Sequence, residues 1–219
     1  MIGVFDSGIG GQSVLRALRA QLPHEQFHYI ADTEHAPYGE RDDAFVAQRA
    51  MAITRELVEE HRAALVVVAC NTATAAAIHL LREEFPRVPI VGIEPALKPA
   101  LEVTKTGHIG VLATRTTLAS AKFAALLASC ESLSAQTQFI LQACDGLAQA
   151  IETNDALLVR ELFGKYWDAI RARGDVDALV LGCTHYPLAD DVLREVVGPR
   201  VTLVEPGPAV ARRVAQLLD

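Results

Sequence analysis

Two uninterrupted apolar runs, residues 64–69 and 178–182, stand out from the hydrophobic pattern of the chain. Each is long enough for a strand and short for a helix, and such runs are typical of strands buried on both faces of a parallel sheet. The first ends at Cys70 and the second at Cys183, and small hydroxyl or amide residues follow both cysteines. Ligands of open parallel sheets bind beyond the carboxyl ends of the strands, so the two thiols are candidate functional groups.

The other apolar segments alternate between strand and helix patterns. In the first half, strands are predicted near residues 2–7, 27–31, 65–69 and 88–93, and helices near 12–22, 42–61, 72–85 and up to 104. A final helix is predicted at about residues 208–218. Alternating strands and helices favour an α/β fold with parallel sheets.

The second half of the chain repeats the order of the first. Segments that begin at residues 109, 139, 183 and 204 match segments at residues 2, 27, 70 and 93, at offsets between 107 and 113 residues. The repeat predicts two similar, open, mostly parallel-sheet α/β domains related by pseudo-two-fold symmetry, with the active site in the cleft between them. The predicted domains are residues 1–97 with 206–219, and residues 98–205. The alternative is that any two runs of strands and helices look alike.

Composition narrows the class of protein. The net charge of −7 and the lack of a basic cluster argue against a nucleic-acid partner. No apolar stretch reaches the length of a membrane span, and the strand-like start leaves no room for a signal peptide. Four widely spaced cysteines do not resemble a disulfide scaffold, so we expect a cytoplasmic protein with reduced thiols. Cys130 and Cys144 are expected to be buried apolar residues.

The repeat gives the two thiols different helpers. Asp6 ends the first strand and is the expected partner of Cys70, whereas His185 follows Cys183 by two residues. A helix N-terminus after each cysteine would favour the thiolate. Cys70, Cys183, His185 and Asp6 could also supply zinc ligands, but no short pairing such as C-x-x-C accompanies them. The glycine-rich turn at residues 8–11 lacks the full spacing of a nucleotide-binding loop.

Hydroxyl and amide donors at the strand-to-helix turns of both halves suit a carboxylate ligand. They are Ser7, Asn71, Thr72, Thr114, Thr116, Thr117 and Thr184. Ser and Thr are also ordinary helix caps, so each position has a structural alternative. Together they favour a small dianionic or amino-acid ligand.

Two thiols on either side of such a ligand suit racemisation. One thiolate removes the proton from a stereocentre while the other thiol returns a proton to the opposite face. Donors aimed at the carboxylate stabilise the carbanion that forms. The reference pKa of cysteine, about 8.5, needs only a modest downward shift for this work at neutral pH.

Four segments together resemble the glutamate racemases of the cofactor-independent aspartate/glutamate racemase superfamily. They are residues 2–8, residues 31–33 with 37–39, residues 68–72 and residues 181–187. The resemblance implies that Cys70 and Cys183 are the catalytic acid/bases, that Asp6 and His185 assist them, and that Glu152 is a further helper. It implies that Cys70 takes the proton from D-glutamate and Cys183 from L-glutamate. It also implies substrate contacts from Asp6, Ser7, Tyr38, Gly39, Asn71, Thr72, Thr184 and His185.

Members of this family supply D-glutamate to peptidoglycan synthesis without a metal or pyridoxal phosphate, commonly as homodimers. The resemblance therefore implies no cofactor, glutamate as the small-molecule substrate, and a homodimer. A relative that acts on aspartate, a hydantoin or an arylmalonate remains an alternative, as does a binding protein that only holds a small acid. The arylmalonate decarboxylases manage with one cysteine, and a binding protein has no need of two mirrored thiols.

Overall fold

The computed structural model describes residues 1–218 and divides them into two compact units. The first unit comprises Met1–Glu94 and the C-terminal segment from Pro206, and the second is Pro95–Glu205. The first part of the chain contains β1 (Ile2–Asp6), α1 (Gln12–Gln21), β2 (Phe27–Ala31), α2 (Asp43–Arg55), β3 (Leu65–Val68), α3 (Asn71–Glu84) and β4 (Ile90–Gly92).

The second unit and the end of the chain contribute the remaining elements. They are α4 (Leu97–Val103), β5 (His108–Ala113), α5 (Arg115–Ala119), α6 (Ala121–Leu133), β6 (Gln138–Ala143), α7 (Leu147–Glu152), α8 (Ala156–Arg171), β7 (Ala178–Gly182), α9 (Asp190–Val197), β8 (Thr202–Val204) and α10 (Gly207–Leu218).

Each unit contains one four-stranded sheet in which all paired strands are parallel. The strand order is β2-β1-β3-β4 in the first unit and β6-β5-β7-β8 in the second. The central strands β3 and β7 are buried along their whole length, as their unbroken apolar sequences require. The predicted fold class, two similar α/β halves with parallel sheets, is confirmed.

The strand order places the two thiols at equivalent positions. In each sheet the second strand of the unit pairs on one side of the first strand, and the third strand pairs on its other side. The ligand-binding crevice of such a sheet lies where the strand order reverses, which is between β1 and β3 in the first unit and between β5 and β7 in the second. Cys70 follows the end of β3 closely, and Cys183 follows β7 directly. Both cysteines therefore lie where an open α/β sheet binds its ligand.

Two predicted elements differ from the structure. The helix predicted over residues 42–61 is an α-helix only to Arg55, and a π-helical turn completes it at Glu56–Glu60. That turn contains the fully buried Leu57, which packs into the core of the first unit. The strand predicted over residues 88–93 is shorter in the structure, where only Ile90–Gly92 pairs with β3.

The C-terminal helix α10 completes the first unit. Val210, Ala211 and Val214 are buried against apolar residues of β1, β3 and α1. Gly207 lies so close to α1 that a Cβ atom there would be 3.1 Å from that of Ala17. Burial of these side chains is worth about 25 cal/mol per Å² of apolar surface. The helix therefore belongs to the core of the unit that begins at Met1.

A carboxylate clamp holds the segment that leads into β5. Asp177 accepts hydrogen bonds from the Thr104 hydroxyl at 2.6 Å, the Lys105 N–H at 2.6 Å and the Thr106 N–H at 3.0 Å. Burial alone would raise the pKa of Asp177, but these hydrogen bonds outweigh it and hold the pKa below the ordinary value of 3.8. The ionised form is therefore stabilised by folding.

We expect Asp177→Asn to lower the free energy of unfolding by about 1–2 kcal/mol near neutral pH. A depressed carboxyl pKa contributes stability that is present above the unfolded pKa and is lost as the pH falls through the folded pKa. The difference between variant and wild type should therefore shrink below pH 3.8. Urea unfolding followed from neutral to acidic pH measures it, with the exposed neighbour Asp175→Asn as control. A pH-independent difference would contradict the clamp.

No helix within residues 1–218 combines the length and the apolar character needed to cross a membrane.

Candidate active site

Cys70 occupies the N-cap of α3, the helix that follows β3. Its sulfur accepts a hydrogen bond from the Ala73 N–H at 3.4 Å, and its thiol donates to the Ser7 hydroxyl oxygen at 3.8 Å. The positive end of the helix dipole and the backbone donor both stabilise negative charge on the sulfur. Cys70 is buried, with 5% of its surface exposed. Its surroundings therefore suit a thiol that gives up and regains a proton.

Asp6 lies at the end of β1, beside the strand that leads to Cys70, and is fully buried. Its Oδ2 accepts a hydrogen bond from the Gly11 N–H at 2.8 Å. A Cβ atom on residue 11 would come within 2.6 Å of the Asp6 Cβ, so glycine is needed for this close approach. The glycine-rich turn at residues 8–11 thus supports the carboxylate of Asp6. The structure brings Asp6, Ser7 and Cys70 to one end of the sheet.

Asn71 is buried, yet neither its amide nitrogen nor its amide oxygen has a hydrogen-bond partner among residues 1–218. An unsatisfied buried amide costs about 1–3 kcal/mol, and a bound ligand is one way to satisfy it. Thr72, the next residue of α3, is also buried. The Asn71 amide is the strongest sign of a ligand in the first unit.

Tyr38 and Gly39 belong to the loop between β2 and α2. Tyr38 is almost fully buried and packs in the same core cluster as Cys70. Its hydroxyl donates a hydrogen bond to Asp32 Oδ2 at 2.5 Å. Asp32, which directly follows β2, was not among the residues singled out in the sequence, although its position after a strand was a usable signal.

In the second unit, a buried histidine lies beside Cys183, and a partly buried carboxylate lies beside that histidine. His185 Nδ1 lies 3.8 Å from Cys183 Sγ, and His185 Nε2 lies 2.6 Å from Glu152 Oε2. The side chains of His185 and Glu152 are 2% and 12% exposed. Glu152 ends α7, so this short helix carries the carboxylate to the histidine.

This arrangement defines what each group can do. When Nε2–H donates to Glu152, the Nδ1 lone pair points at Cys183 and accepts the proton of its thiol. A thiol, an imidazole base and a carboxylate that orients the imidazole form the usual means of activating a nucleophile or base. The imidazole of His185 is therefore placed to exchange a proton with Cys183.

Tyr186 and Cys144 pack in the same core cluster as Cys183, which the sequence did not indicate. Tyr186 is fully buried, and its burial raises the pKa of its hydroxyl. The nearby Cys144 and Cys183 raise this pKa further. Burial likewise raises the pKa of the Cys144 thiol, and the charge of Cys183 adds to the effect. Cys144 follows β6 as Cys183 follows β7, with β5 between them in the sheet. Cys144 is therefore a neutral, buried residue near Cys183. Cys130, in contrast, is a buried residue of α6.

The four predicted threonines of the second unit differ in their surroundings. Thr184 is buried beside Cys183, and Thr117 is buried in α5. The Thr114 hydroxyl donates to Thr117 Oγ1 at 2.9 Å and accepts from the Thr117 N–H at 3.2 Å, which makes Thr114 the N-cap of α5. Thr116 is half-buried in the same helix. Helix capping thus explains Thr114, while its substrate contact stays a prediction.

The structure groups the predicted residues by unit. The first unit holds Asp6, Ser7, Tyr38, Gly39, Cys70, Asn71 and Thr72, and the second holds Thr114, Thr116, Thr117, Glu152, Cys183, Thr184 and His185. All four cysteines are thiols, with no disulfide among the described residues. Over the same residues, no group of three or more His, Cys, Asp or Glu side chains is placed to hold a metal ion.

Comparison with known proteins gives one family. The family model described as Asp/Glu/Hydantoin racemase matches residues 2–214. A glutamate racemase from Ectopseudomonas mendocina (strain ymp) is 48% identical over 99% of this chain and 81% of its own length.

Solved structures agree with the sequence relatives. The crystal structure of Escherichia coli glutamate racemase in complex with L-glutamate and the activator UDP-MurNAc-Ala has a TM-score of 0.86 and 36% identity, covering 99% of this chain and 81% of that one. A glutamate racemase from Bacillus anthracis has a TM-score of 0.85 and 32% identity, covering 100% of this chain and 81% of that one.

Proposed function

Because the chain belongs to the Asp/Glu/hydantoin racemase family, we propose that it interconverts L- and D-glutamate with Cys70 and Cys183 as its two acid/bases. The observation that carries the proposal is the equivalent position of the two thiols. Each lies just past the third strand of its sheet, at the crevice where such sheets bind ligands. The high identity to glutamate racemases supports glutamate as the substrate.

The proposed reaction moves one proton in and one proton out. With D-glutamate bound, the Cys70 thiolate takes the α-proton, and the electron pair of the C–H bond stays on the substrate as a carbanion. The Cys183 thiol then gives its proton to the opposite face, which yields L-glutamate. Cys70 is now the thiol and Cys183 the thiolate, so the enzyme is ready for the reverse direction. No redox change occurs, and the proton count is unchanged.

The two half-sites would stabilise these states by different means. The N-terminus of α3 and the Ala73 N–H would hold charge on Cys70. His185, oriented by Glu152, would accept or return the proton of Cys183. The Asn71 amide, Ser7 and the predicted threonines would bind the carboxylates of the substrate and stabilise the carbanion. Neither a metal nor pyridoxal phosphate takes part in this scheme.

The biological setting follows from the family resemblance. We propose that the D-glutamate supplies peptidoglycan synthesis in the cytoplasm and thereby supports cell shape, and that the enzyme is a homodimer. We also propose that the two compact units act as the two domains of the enzyme, one thiol from each. The names of the relatives support the activity, and the likeness to the family supports the rest.

Circular dichroism tests the proposed activity. Protein purified without added cofactor should bring the signal of L-glutamate to zero, because an equal mixture of enantiomers has no net dichroism. L-aspartate should retain its signal over the same time. A lost aspartate signal with a stable glutamate signal would favour an aspartate racemase. A stable signal with both amino acids would contradict the racemase and favour a protein that only binds a small acid.

A further inference from the structure

A partly buried ionic cluster around Asp32 lies in the same unit as Cys70. Arg49 donates hydrogen bonds to both carboxylate oxygens of Asp32, from Nε to Oδ2 at 2.9 Å and from Nη2 to Oδ1 at 2.8 Å. The Tyr38 hydroxyl donates to Oδ2 at 2.5 Å, and His35 Nδ1 lies 2.9 Å from Oδ1. The side chain of Asp32 is 7% exposed and that of Arg49 is 30% exposed. Neither Arg49 nor Asp32 has a part in the reaction proposed above.

The cluster ties a loop to a helix. Asp32, His35 and Tyr38 lie in one loop between β2 and α2, and Arg49 projects from α2. The same loop contains Tyr38 and Gly39, the expected substrate contacts. A loop of this kind adopts many conformations unless side chains fix it. Here the fixing contacts converge on one carboxylate, which is held in turn by the guanidinium of Arg49.

The cluster also decides where the proton of the Tyr38 hydroxyl points. Burial raises the pKa of Tyr38 above its ordinary value, and the hydrogen bond and charge of Asp32 raise it further, as does the nearby Cys70. Tyr38 therefore stays a neutral phenol whose O–H group donates its hydrogen bond to Asp32. Its oxygen is left with lone pairs only, so toward any other neighbour it can accept a hydrogen bond but cannot donate one.

A lysine could not take the place of Arg49 without loss. The guanidinium presents two parallel N–H groups that match both carboxylate oxygens, whereas an ammonium is a single point charge. With both oxygens engaged by Arg49, the carboxylate plane is fixed, and with it the direction from which Tyr38 approaches. Without the two guanidinium hydrogen bonds, the orientation of Asp32 would depend on its contacts with Tyr38 and His35.

We propose that Arg49, acting through Asp32, is a positioning residue that fixes the Tyr38 side chain, which packs in the same core cluster as Cys70. Its role in catalysis rests on the proposed racemase function. Because the cluster lies in the unit of Cys70, Arg49 should affect proton transfer at Cys70 and leave proton transfer at Cys183 nearly unchanged at saturating substrate. A residue that merely stabilised the fold would affect both thiols.

A one-sided reaction separates the two thiols. With 3-chloroglutamate, a single thiolate takes the α-proton, chloride leaves the β-carbon with the electron pair of its bond, and the resulting enamine hydrolyses to 2-oxoglutarate and ammonia. In Cys183→Ala only Cys70 can act as the base, and in Cys70→Ala only Cys183 can. Release of 2-oxoglutarate from the appropriate enantiomer therefore measures each thiol by itself.

Adding Arg49→Ala to Cys183→Ala should lower the kcat of elimination about 10–100-fold, the usual effect of losing charge-assisted hydrogen bonds. The same change in Cys70→Ala should alter kcat less than about threefold. Arg49→Lys should give an intermediate loss. Arg55→Ala is the matched control, because Arg55 lies on the same helix and also pairs with a carboxylate, Glu84 at 2.8 Å, at the protein surface. It should leave both reactions unchanged.

Tyr38→Phe provides a second route should Arg49→Ala fail to fold. It keeps the buried ring but removes the oxygen, so the same one-sided loss is expected. Equal losses at both thiols, or no loss at either, would overturn the role of Arg49 while an active wild type upholds the racemase. A wild type that does not racemise glutamate would overturn both proposals.

Discussion

Cys70→Ala and Cys183→Ala are each expected to lower the kcat of glutamate racemisation by about 10²–10⁴-fold, the usual contribution of a positioned acid/base. Each substitution removes the group that must take or return a proton on one face of the substrate. Both thiols are buried at the ends of central strands, and alanine fits there without adding atoms. Circular dichroism of glutamate measures the loss.

The variants should remain active in the one-sided elimination described above. Cys70→Ala should eliminate chloride from one enantiomer of 3-chloroglutamate and Cys183→Ala from the other, since each keeps one base. Cys130→Ala is the matched control, because Cys130 is fully buried in α6 within a different core cluster from Cys183. Full racemisation by either single-thiol variant would contradict the two-base mechanism.

Thermodynamics limits how these losses divide between the two directions. The equilibrium constant between enantiomers is unity, so kcat/KM for D-glutamate and for L-glutamate must be equal in every variant. A substitution near one thiol therefore cannot slow one direction alone when kcat/KM is measured. This is why one-sided elimination, rather than racemisation, reports on Cys70 and Cys183 separately.

The second large effect is expected at His185. His185→Asn removes the imidazole that faces Cys183 Sγ and leaves the carboxylate of Glu152 without this partner. We expect racemisation to fall by about 10²–10⁴-fold, as for the loss of a general base. Elimination that depends on Cys183 should fall with it, whereas elimination that depends on Cys70 should remain near the parent rate.

Glu152→Gln separates the charge of the carboxylate from its position. Glutamine can still accept from His185 Nε2 through its amide oxygen, so the ring keeps its orientation but loses the charge that favours imidazolium. The loss of activity should be smaller than for His185→Asn, about tenfold. His79→Asn, at an exposed position of α3, is the matched control and should be fully active. An active His185→Asn would remove His185 from the mechanism.

The positions of the thiols could be predicted because they depend on local pattern. The runs that became β3 and β7 are apolar on both faces, which only a central parallel strand requires, and the residues beyond their ends must then lie at the ligand-binding edge of a sheet. Glu152 was named only as a helper through the family resemblance, because no spacing rule links it to His185, 33 positions away in another element.

The Asp32 cluster shows what the pattern could not reveal. Arg49 is one polar residue on an amphipathic helix, and periodicity assigns such a residue to solvent. Only the packing of α2 against its unit brings the guanidinium to Asp32. Tyr186 was equally hidden, since a tyrosine after a turn carries no sign that it will be fully buried in one core cluster with Cys144 and Cys183. These contacts are properties of the tertiary structure.

The place of α10 in the first unit has a consequence for synthesis on the ribosome. The second unit is one continuous stretch, Pro95–Glu205, and is complete before the last helix is made. The first unit includes Met1–Glu94 but lacks Val210, Ala211 and Val214 until the segment after Pro206 has been made. Its apolar face on β1, β3 and α1 is therefore uncovered while the whole second unit emerges. Synthesis at about 5–20 residues per second makes this a wait of several seconds, and the second unit is the first of the two to have all of its residues.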